Sequence, residues 1–318
     1  MIKAIFWNCR GVKKPVSRNH LQALVREHLP VVIYLLETRV QSFSRREVDR
    51  LVRQQWDFYV EPSVGKSGGI IVCWLNHITR LHVIHSNKQV VITEATVMGR
   101  KNWHIYAVYA DKDYIKRQII WDSISLILDA EIPALMRGDF KCILLQEDKR
   151  GGNPSIPAEA HNEFASFLAN NDLLDGWNGG QHYTWCNNRK GKARMWVRLD
   201  RVCFNSTALS ALPGSVVTHL TRIGSDHFPL WVQGRNLEFT PQGSTLKFED
   251  VWLDEEASKE IVVREWQKPA HGSPPTILNH KFASTLRALK IWSQDKFGNI
   301  HAKAKYLESR IAECWYEN

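Results

Sequence analysis

Apolar residues in the first 235 positions follow two different spacings. Short apolar runs bounded by polar turns predict strands, and apolar residues that recur every three or four positions predict amphipathic helices. Helices are predicted at 17–29, with Ser17 as the N-cap, at 113–129 and at 157–171. Strands are predicted at "IKAIFW", "VVIYLLE" and "IPALMRGD", and later at "HYTWCN", "MWVRLDRVCF" and "FPLWVQG".

Four β-rich runs follow one another between residues 68 and 110 with no helical segment between them. A parallel doubly wound sheet needs a crossover helix after nearly every strand, so this region argues against that fold. Many strands with few helices predict two packed sheets flanked by helices. The predicted fold class is therefore an α/β sandwich.

The pattern changes after residue 235, where a polar turn region separates the sandwich from helical segments. The segment 254–266 is a helix candidate, and "LNHKFASTLRALKIW" and "IHAKAKYLESRIAECW" each carry one apolar stripe at helical spacing. These two amphipathic helices need a partner, which could be each other, the first domain or another chain. The last stripe is still running at residue 318, as expected of a cut end.

Composition and charge argue against a membrane or secreted protein and indicate what kind of partner the chain binds. The chain has 318 residues, with no apolar stretch long enough for a membrane span and no signal peptide. Six scattered cysteines without a CxxC pair favour reduced thiols inside a cell. Residues 247–318 hold 11 basic and 11 acidic side chains, so the net charge of +9 belongs to residues 1–246. That excess indicates a polyanion partner such as nucleic acid, or simply serves solubility.

Four acidic residues share one context, because each ends or closely follows an apolar, strand-like stretch. They are Glu37, Asp139, Asp200 and Asp226. Strand ends at one edge of a sheet converge in space, and carboxylates that meet there repel each other unless a cation neutralises them. A divalent metal would do this, and oxygen ligands favour magnesium, manganese or calcium over zinc.

Two neighbouring residues extend this pattern. Asn8 follows the first strand, where its amide could orient a metal ligand or a phosphate. His227 comes directly after Asp226, and a histidine supported by a carboxylate can give or take a proton near neutral pH. Each residue alone has a structural alternative, such as a turn cap. Their combination, each after a strand, indicates a catalytic site.

The segments "FWNCRG", "LLETR", "VYA", "RGDF", "YTWCNN", "RLDR" and "SDHFPL" resemble, in this order, the signature motifs of the endonuclease/exonuclease/phosphatase superfamily, which includes DNase I. They run from residue 6 to residue 230. The closest resemblance is to the endonuclease domain of plant LINE-type non-LTR retrotransposons. The later helical segment resembles the connector that precedes a reverse transcriptase in such elements.

The resemblance implies a four-layer α/β sandwich, DNase I-like, over residues 1–235, with a helical connector over 236–318. It also implies magnesium as the cofactor, with manganese as a substitute. At the metal and phosphate positions of the family stand Asn8 and Glu37, and Asp226 is a metal-side acid. The tail helices would pack on the nuclease domain or on a missing reverse transcriptase.

The catalytic roles also follow from the resemblance. Tyr109 falls at the tyrosine that contacts the scissile phosphate, and Asp139 at the acid that positions the attacking water. Asp200 matches the acid that orients the catalytic histidine, which is His227. The implied reaction is hydrolysis of one DNA phosphodiester bond to leave a 3′-hydroxyl. Location in the nucleus is inferred from that substrate.

A basic loop after "YTWCNN" is a second candidate for contact with DNA. In the family such a loop lies beside the duplex, although an ordinary solvated hairpin tip fits the sequence equally well. Arg198, just before "LDR", is expected to add positive charge near the same face. The basic side chains of the loop are Arg189, Lys190, Lys192 and Arg194.

The chain departs from the family at Lys141, where the motif GDFN reads "GDFK". Lysine has no hydrogen-bond acceptor and adds a charge. The ammonium could hold the phosphate, pair with Asp139, or repel the metal; a fourth interpretation turns it to solvent. Three functions follow: a magnesium-dependent endonuclease impaired by Lys141, a catalytically silent nucleic-acid-binding remnant, and, less favoured, a phosphatase of the same superfamily.

Overall fold

The computed structural model describes residues 3–52, 55–65, 67–97, 102–152, 158–176, 182–211, 216–234, 250–270 and 274–297. The chain forms two units, Met1–Phe239 and Thr240–Asn318. The predicted boundary at residue 235 and the predicted helix over "IHAKAKYLESRIAECW" lie outside the described residues.

Two six-stranded mixed sheets and one small sheet make up the first unit. The first sheet has the spatial order β14 (Val216–His219), β15 (Leu230–Gln233), β1 (Lys3–Asn8), β2 (Val32–Leu36), β4 (Ser67–Leu75) and β3 (Trp56–Val64). The second has the order β10 (Leu173–Asp175), β13 (Asp200–Asn205), β8 (Ala134–Asp139), β7 (Trp103–Tyr109), β6 (Val90–Val97) and β5 (Thr79–Asn87). The small sheet has the order β11 (Trp185–Cys186), β12 (Trp196–Val197) and β9 (Lys149–Arg150).

Helices cover the outer faces of the two large sheets. The first sheet packs on α1 (Pro15–His28) and α2 (Arg45–Val52), and the second on α3 (Tyr114–Ser125) and α4 (Ala158–Asn170). A short helix, α5 (Ser206–Ala211), follows β13. The order of layers is helix, sheet, sheet, helix, which confirms the predicted four-layer sandwich.

Side chains that alternate in direction along each strand form the hydrophobic cores on its two faces. In β1, Ala4 and Phe6 point between the sheets, whereas Ile5 and Trp7 point toward α1. Successive side chains of a strand face opposite sides, so a strand buried on both faces must be apolar at nearly every position. This is why the predicted strands of the sandwich read as continuous apolar runs. The four runs between residues 68 and 110 form β4 to β7.

The parallel strand pairs place the candidate chemistry at one edge of the sandwich. In the first sheet β1 runs parallel to β2, and in the second β7 runs parallel to β8. Parallel neighbours end at the same edge, so Asn8 lies beside Leu36, and Tyr109 lies beside Asp139. Asp200 begins the antiparallel strand β13 directly opposite Asp139.

Two local predictions are wrong. Ser17 is not the N-cap of α1, which begins at Pro15 because proline at the first helical position has its φ angle preset. The Ser17 hydroxyl donates instead to the carbonyl of Gly224, 3.1 Å away. The predicted strand "MWVRLDRVCF" is two strands in different sheets. The chain turns between them where the Thr184 hydroxyl accepts hydrogen bonds from the amides of Leu199 and Asp200, at 3.0 and 2.9 Å.

The second unit is helical where it is described. A 3₁₀ turn (Asp250–Asp254) leads into α6 (Glu256–Gln267), and α7 (Pro274–Phe297) follows. Trp252, Ile261 and Leu289 form its buried apolar centre, so the packing partner of α7 includes α6. Every helix in the described part of the chain is too short or too polar to cross a lipid bilayer.

Two arginines buried in the second sheet have opposite surroundings. Arg201 lies in β13, and its guanidinium donates to Asp148 and Asp175. Arg137 lies in β8, fully buried, and none of its guanidinium nitrogens has a hydrogen-bond partner among the described residues. The ring centre of Phe6 lies 4.7 Å from the guanidinium, and the charge of Asp200 opposes the effect of burial only in part. Burial lowers the pKa of Arg137 well below its usual value.

Replacing Arg137 with methionine is therefore expected to stabilise the protein. The apolar side chain removes a desolvated charge, so the free energy of unfolding should rise by about 1–4 kcal/mol. Arg201→Met is the matched control, because it removes the buried cation that donates to both Asp148 and Asp175, and it should cost about 3–5 kcal/mol. Urea unfolding measures both. A destabilised Arg137→Met variant would contradict this assignment and indicate an unrecognised partner for the guanidinium.

Candidate active site

The centre of the site is a buried histidine between two buried carboxylates. Nδ1 of His227 lies 2.8 Å from a carboxylate oxygen of Asp200. Nε2, on the other side of the ring, lies 3.5 Å from a carboxylate oxygen of Asp139. All three side chains are almost completely excluded from solvent. The Asp200 contact accounts for the Nδ1 proton, so Nε2 is the ring atom that faces the rest of the site.

Contacts to the first sheet and to the small sheet hold His227 in place. It follows a turn whose Ser225 hydroxyl donates to the carbonyl of Asn8, at 2.7 Å, and accepts from the amide of His227, at 3.2 Å. The indole of Trp7 donates to the carbonyl of His227 at 3.3 Å. A bridge pairs His227 with Trp185 on the small sheet. The imidazole is thus fixed by β1, β11 and the segment before β15.

Burial and charge shift the pKa values of this pair. Burial raises the pKa of Asp200, and the nearby His227 cation only partly opposes that shift. For His227 burial alone would lower the pKa, but the two carboxylates outweigh burial and raise it above its usual value of 6.5. The imidazole therefore keeps its proton to a higher pH than a free histidine.

Asp139 is already bound by two side chains of the protein. The Asn8 amide donates to one of its carboxylate oxygens at 2.8 Å, and the Lys141 ammonium forms an ion pair with the same oxygen. Lys141 also lies 5.1 Å from the ring centre of Tyr109. Burial would raise the pKa of Asp139, but the charges of Lys141 and His227 hold it below its usual range. Of the interpretations of Lys141, the structure places the ammonium on Asp139.

The backbone at Lys141 has the left-handed conformation, with φ of +54°. Most side chains adopt this conformation at a cost, whereas asparagine adopts it readily. The turn after β8 therefore suits the asparagine of the family motif better than the lysine. In this turn the lysine side chain folds back onto Asp139.

Glu37 and Asp226 share one cation. The guanidinium of Arg10 donates to Glu37 at 3.3 Å from Nε and to Asp226 from Nη1. Arg39 donates to the same Glu37 oxygen at 3.2 Å from Nε. The two acids predicted to hold the metal are thus brought together by an arginine of the protein. Burial would raise the pKa of Asp226, but His227 and Arg10 lower it.

The donor atoms of this pair fit a hard divalent cation. One oxygen of Asp226 accepts from the Trp185 indole at 2.9 Å, whereas the other is buried and has no hydrogen-bond partner among the described residues. A buried carboxylate oxygen without a partner is a ready ligand for magnesium or manganese. Arg10, whose side chain is 39% exposed, binds the Asp226 oxygen that Trp185 contacts and one oxygen of Glu37, so its charge would compete with a metal at this pair.

Asp139, Asp200 and His227 offer a second possible ligand set. Their ligand atoms lie within 4.8 Å of one another. These atoms are, however, bonded to one another and to Asn8 and Lys141. The trio fits a hydrogen-bonded relay better than a metal centre.

The basic loop is adjacent in sequence to a strand that contacts the site. It joins β11 to β12, and β11 carries Trp185, which contacts Asp226. Arg189, Lys190 and Lys192 are exposed, whereas the Arg194 guanidinium turns back to the carbonyl of Arg189 at 2.8 Å.

The expectation for Arg198 is wrong, because that side chain does not add charge to an outer face. It is 8% exposed and donates to Asp175 at 2.9 Å. Two internal acids, Asp175 and Asp148, draw the guanidinium inward.

Sequence reasoning missed Arg10 and Arg39. A repeated spacing could have revealed them, since a basic residue follows two positions after a strand-end polar residue in "NCR", "ETR" and "DFK". All three basic residues have positive φ angles, of 46°, 59° and 54°. In each case the left-handed turn folds the cation back toward the acids. Of the three, only Lys141 was noted in the sequence, because it replaces the asparagine of the motif GDFN.

Comparison with known proteins adds evidence on the fold. No family model matches the sequence, and no curated protein matches it. The AP endonuclease LMAP from Leishmania major superposes with a TM-score of 0.61 at 17% identity, covering 74% of this chain and 88% of the other. The endonuclease domain of the telomere-specific non-LTR retrotransposon TRAS1 gives 0.57 at 13%, covering 75% and 100%. The 3′-5′ exonuclease NExo from Neisseria meningitidis gives 0.54 at 17%, covering 73% and 99%. The chain therefore has the DNase I-like α/β-sandwich fold of these nucleases.

Proposed function

We propose that this protein is a magnesium-dependent DNA endonuclease of LINE-retrotransposon type whose rate is reduced by Lys141. The observation that carries the proposal is the buried hydrogen-bonded set of Asn8, Asp139, His227 and Asp200 at the edge where the sheets meet. Its reaction is hydrolysis of one phosphodiester bond, leaving a 3′-hydroxyl. The fold shared with TRAS1 supports this interpretation, and the positive charge of residues 1–246 supports DNA as the substrate.

The chain's own residues can supply most of the chemistry. His227, held cationic by Asp200, donates from Nε2 to a phosphate oxygen, where negative charge grows as the bond breaks. Asp139 orients the attacking water and can accept its proton. Tyr109, whose pKa burial raises to about 12, remains a neutral hydrogen-bond donor to the phosphate. Magnesium held by Glu37 and Asp226, with Asn8 adjoining, would act as a Lewis acid for the phosphoryl oxygens.

Lys141 interferes at the water-positioning step. Its ammonium occupies the carboxylate that should orient and deprotonate the water, and its charge opposes a nearby divalent cation. Lys141→Asn frees Asp139, restores a neutral amide and relaxes the left-handed turn.

Nicking of supercoiled plasmid with magnesium or manganese tests the proposal. Lys141→Asn should nick about 10²–10³ times faster than the native chain, the usual effect of one well-placed group in such a site. Lys141→Asn with His227→Ala is the matched control and should lose that gain. If neither the native chain nor Lys141→Asn nicks while both remain folded, the endonuclease proposal is wrong.

A second candidate function is nucleic-acid binding without catalysis. The ion pair between Lys141 and Asp139 favours it, because the contact that blocks the water does not involve the basic loop. A phosphatase of this superfamily remains the third hypothesis, without an observation of its own. We place the protein in the nucleus on the basis of the DNA substrate.

The basic loop is expected to contact the DNA backbone. Neutralising its four cations should weaken DNA binding and flatten the dependence of log affinity on log salt by about 0.9 for each phosphate that the loop neutralises in the native chain. The measurement is a salt titration of binding to a short duplex, for the variant Arg189→Gln, Lys190→Gln, Lys192→Gln, Arg194→Gln. A slope identical to that of the native chain would remove the loop from the interface.

The protonation of His227 can be measured directly. Its pKa is raised in the folded protein, so its stabilising proton is fully present below pH ~6.5 and is lost as pH rises through the higher folded value. Asp200→Asn removes the main supporting charge and should lower the pKa of His227. Imidazole NMR titration of the two proteins should show this shift; equal pKa values would rule out Asp200 as the partner that keeps His227 charged.

A further inference from the structure

Three cations of the chain occupy the acids of this site. Arg10 contacts Glu37 and Asp226, Arg39 contacts Glu37, and Lys141 contacts Asp139. All three come from left-handed turns at the ends of β1, β2 and β8, so they are built into the same edge of the sandwich.

These contacts balance the charge of the site. The Asp200–His227 pair shares one proton and sums to zero wherever that proton resides. The remaining acids are Glu37, Asp139 and Asp226, and they are equal in number to the three cations that contact them. Among the side chains that contact these acids, the site is therefore neutral without a metal.

We propose that this site binds a DNA phosphodiester without a divalent cation, because Arg10, Arg39 and Lys141 take the place of the metal in binding. The proposal rests on the DNA substrate proposed above, and it separates binding from cleavage. A metal remains necessary for hydrolysis, whereas holding the phosphate requires only the chain's own cations.

The exposure of the three cations fits this role. Their side chains are 39%, 34% and 22% exposed for Arg10, Arg39 and Lys141, while the acids beneath them are 10% exposed or less. A phosphate approaching the edge therefore meets ammonium and guanidinium groups first. Guanidinium carries five N–H donors and can contact an acid and a phosphate oxygen together, so binding need not break the internal ion pairs.

The charge balance also predicts the effect of Lys141. With asparagine at this position the same group of side chains carries one net negative charge, which repels a phosphate until a divalent cation binds. The native lysine removes that requirement. Arg10 competes with a metal for Glu37 and Asp226, so its loss should expose both acids to a cation.

Fluorescence polarisation with a fluorescein-labelled 12-base-pair duplex, in EDTA and in manganese, tests the proposal. The native chain should bind equally well in both, within about twofold. Lys141→Asn should bind about tenfold more weakly in EDTA, the size of one charge-assisted hydrogen bond, and should recover in manganese. Arg80→Asn is the matched control. It removes one exposed positive charge at the start of β5, where Arg80 pairs with Thr96 of β6, and the variant should bind as the native chain does.

Isothermal titration with manganese provides an independent readout. Arg10→Gln combined with Lys141→Asn should bind manganese at least tenfold more tightly than the native chain, because two competing cations are gone. Circular dichroism verifies that each variant is folded.

The proposal is overturned if EDTA weakens native binding more than about twofold, if Lys141→Asn and Arg80→Asn weaken it equally, or if manganese affinity does not rise. Failure of the endonuclease proposal has a different signature. Nicking can be absent while metal-independent binding persists, and nicking can occur in a chain whose binding proves to require metal.

Discussion

The site depends on one electrostatic constraint: four carboxylates are gathered, mostly buried, at the edge where two sheets end. Asp139 and Asp200 stand directly opposite each other on neighbouring strands, where two bare negative charges would repel strongly. His227 relieves that repulsion from between them, and Lys141 relieves it further. The lowered pKa values of Asp139 and Asp226 and the raised pKa of His227 follow from these opposite charges.

The strands themselves bring the acids together. Because β1 and β2 run parallel, as do β7 and β8, residues far apart in sequence end at one edge without any local signal. The same alternation that fills the cores sends Asp139 inward and leaves Lys141 to fold back from a strained turn. The strands that are buried on both faces therefore determine both the fold and the position of the site.

Much of this could be predicted from the sequence. The apolar runs predicted the sandwich, and the position of Glu37, Asp139, Asp200 and Asp226 after strands predicted one shared site, which the chain does assemble. The pairing of charged side chains could not be predicted. Nothing in the local sequence shows that Arg198 turns inward to Asp175, or that Arg10 bridges Glu37 and Asp226, because both depend on segments more than 20 residues apart. The sequence places Arg137 in a predicted strand. Only the structure shows that its guanidinium has no hydrogen-bond partner among the described residues.

The left-handed turn at Lys141 has an evolutionary consequence. The backbone keeps the conformation that asparagine prefers, although a lysine now occupies it. Codons for lysine and asparagine differ only in their third base, so a single nucleotide separates the two states of this site. No second change in the scaffold is needed for the reversal. A gene that encodes this chain therefore lies one point mutation away from the Lys141→Asn variant.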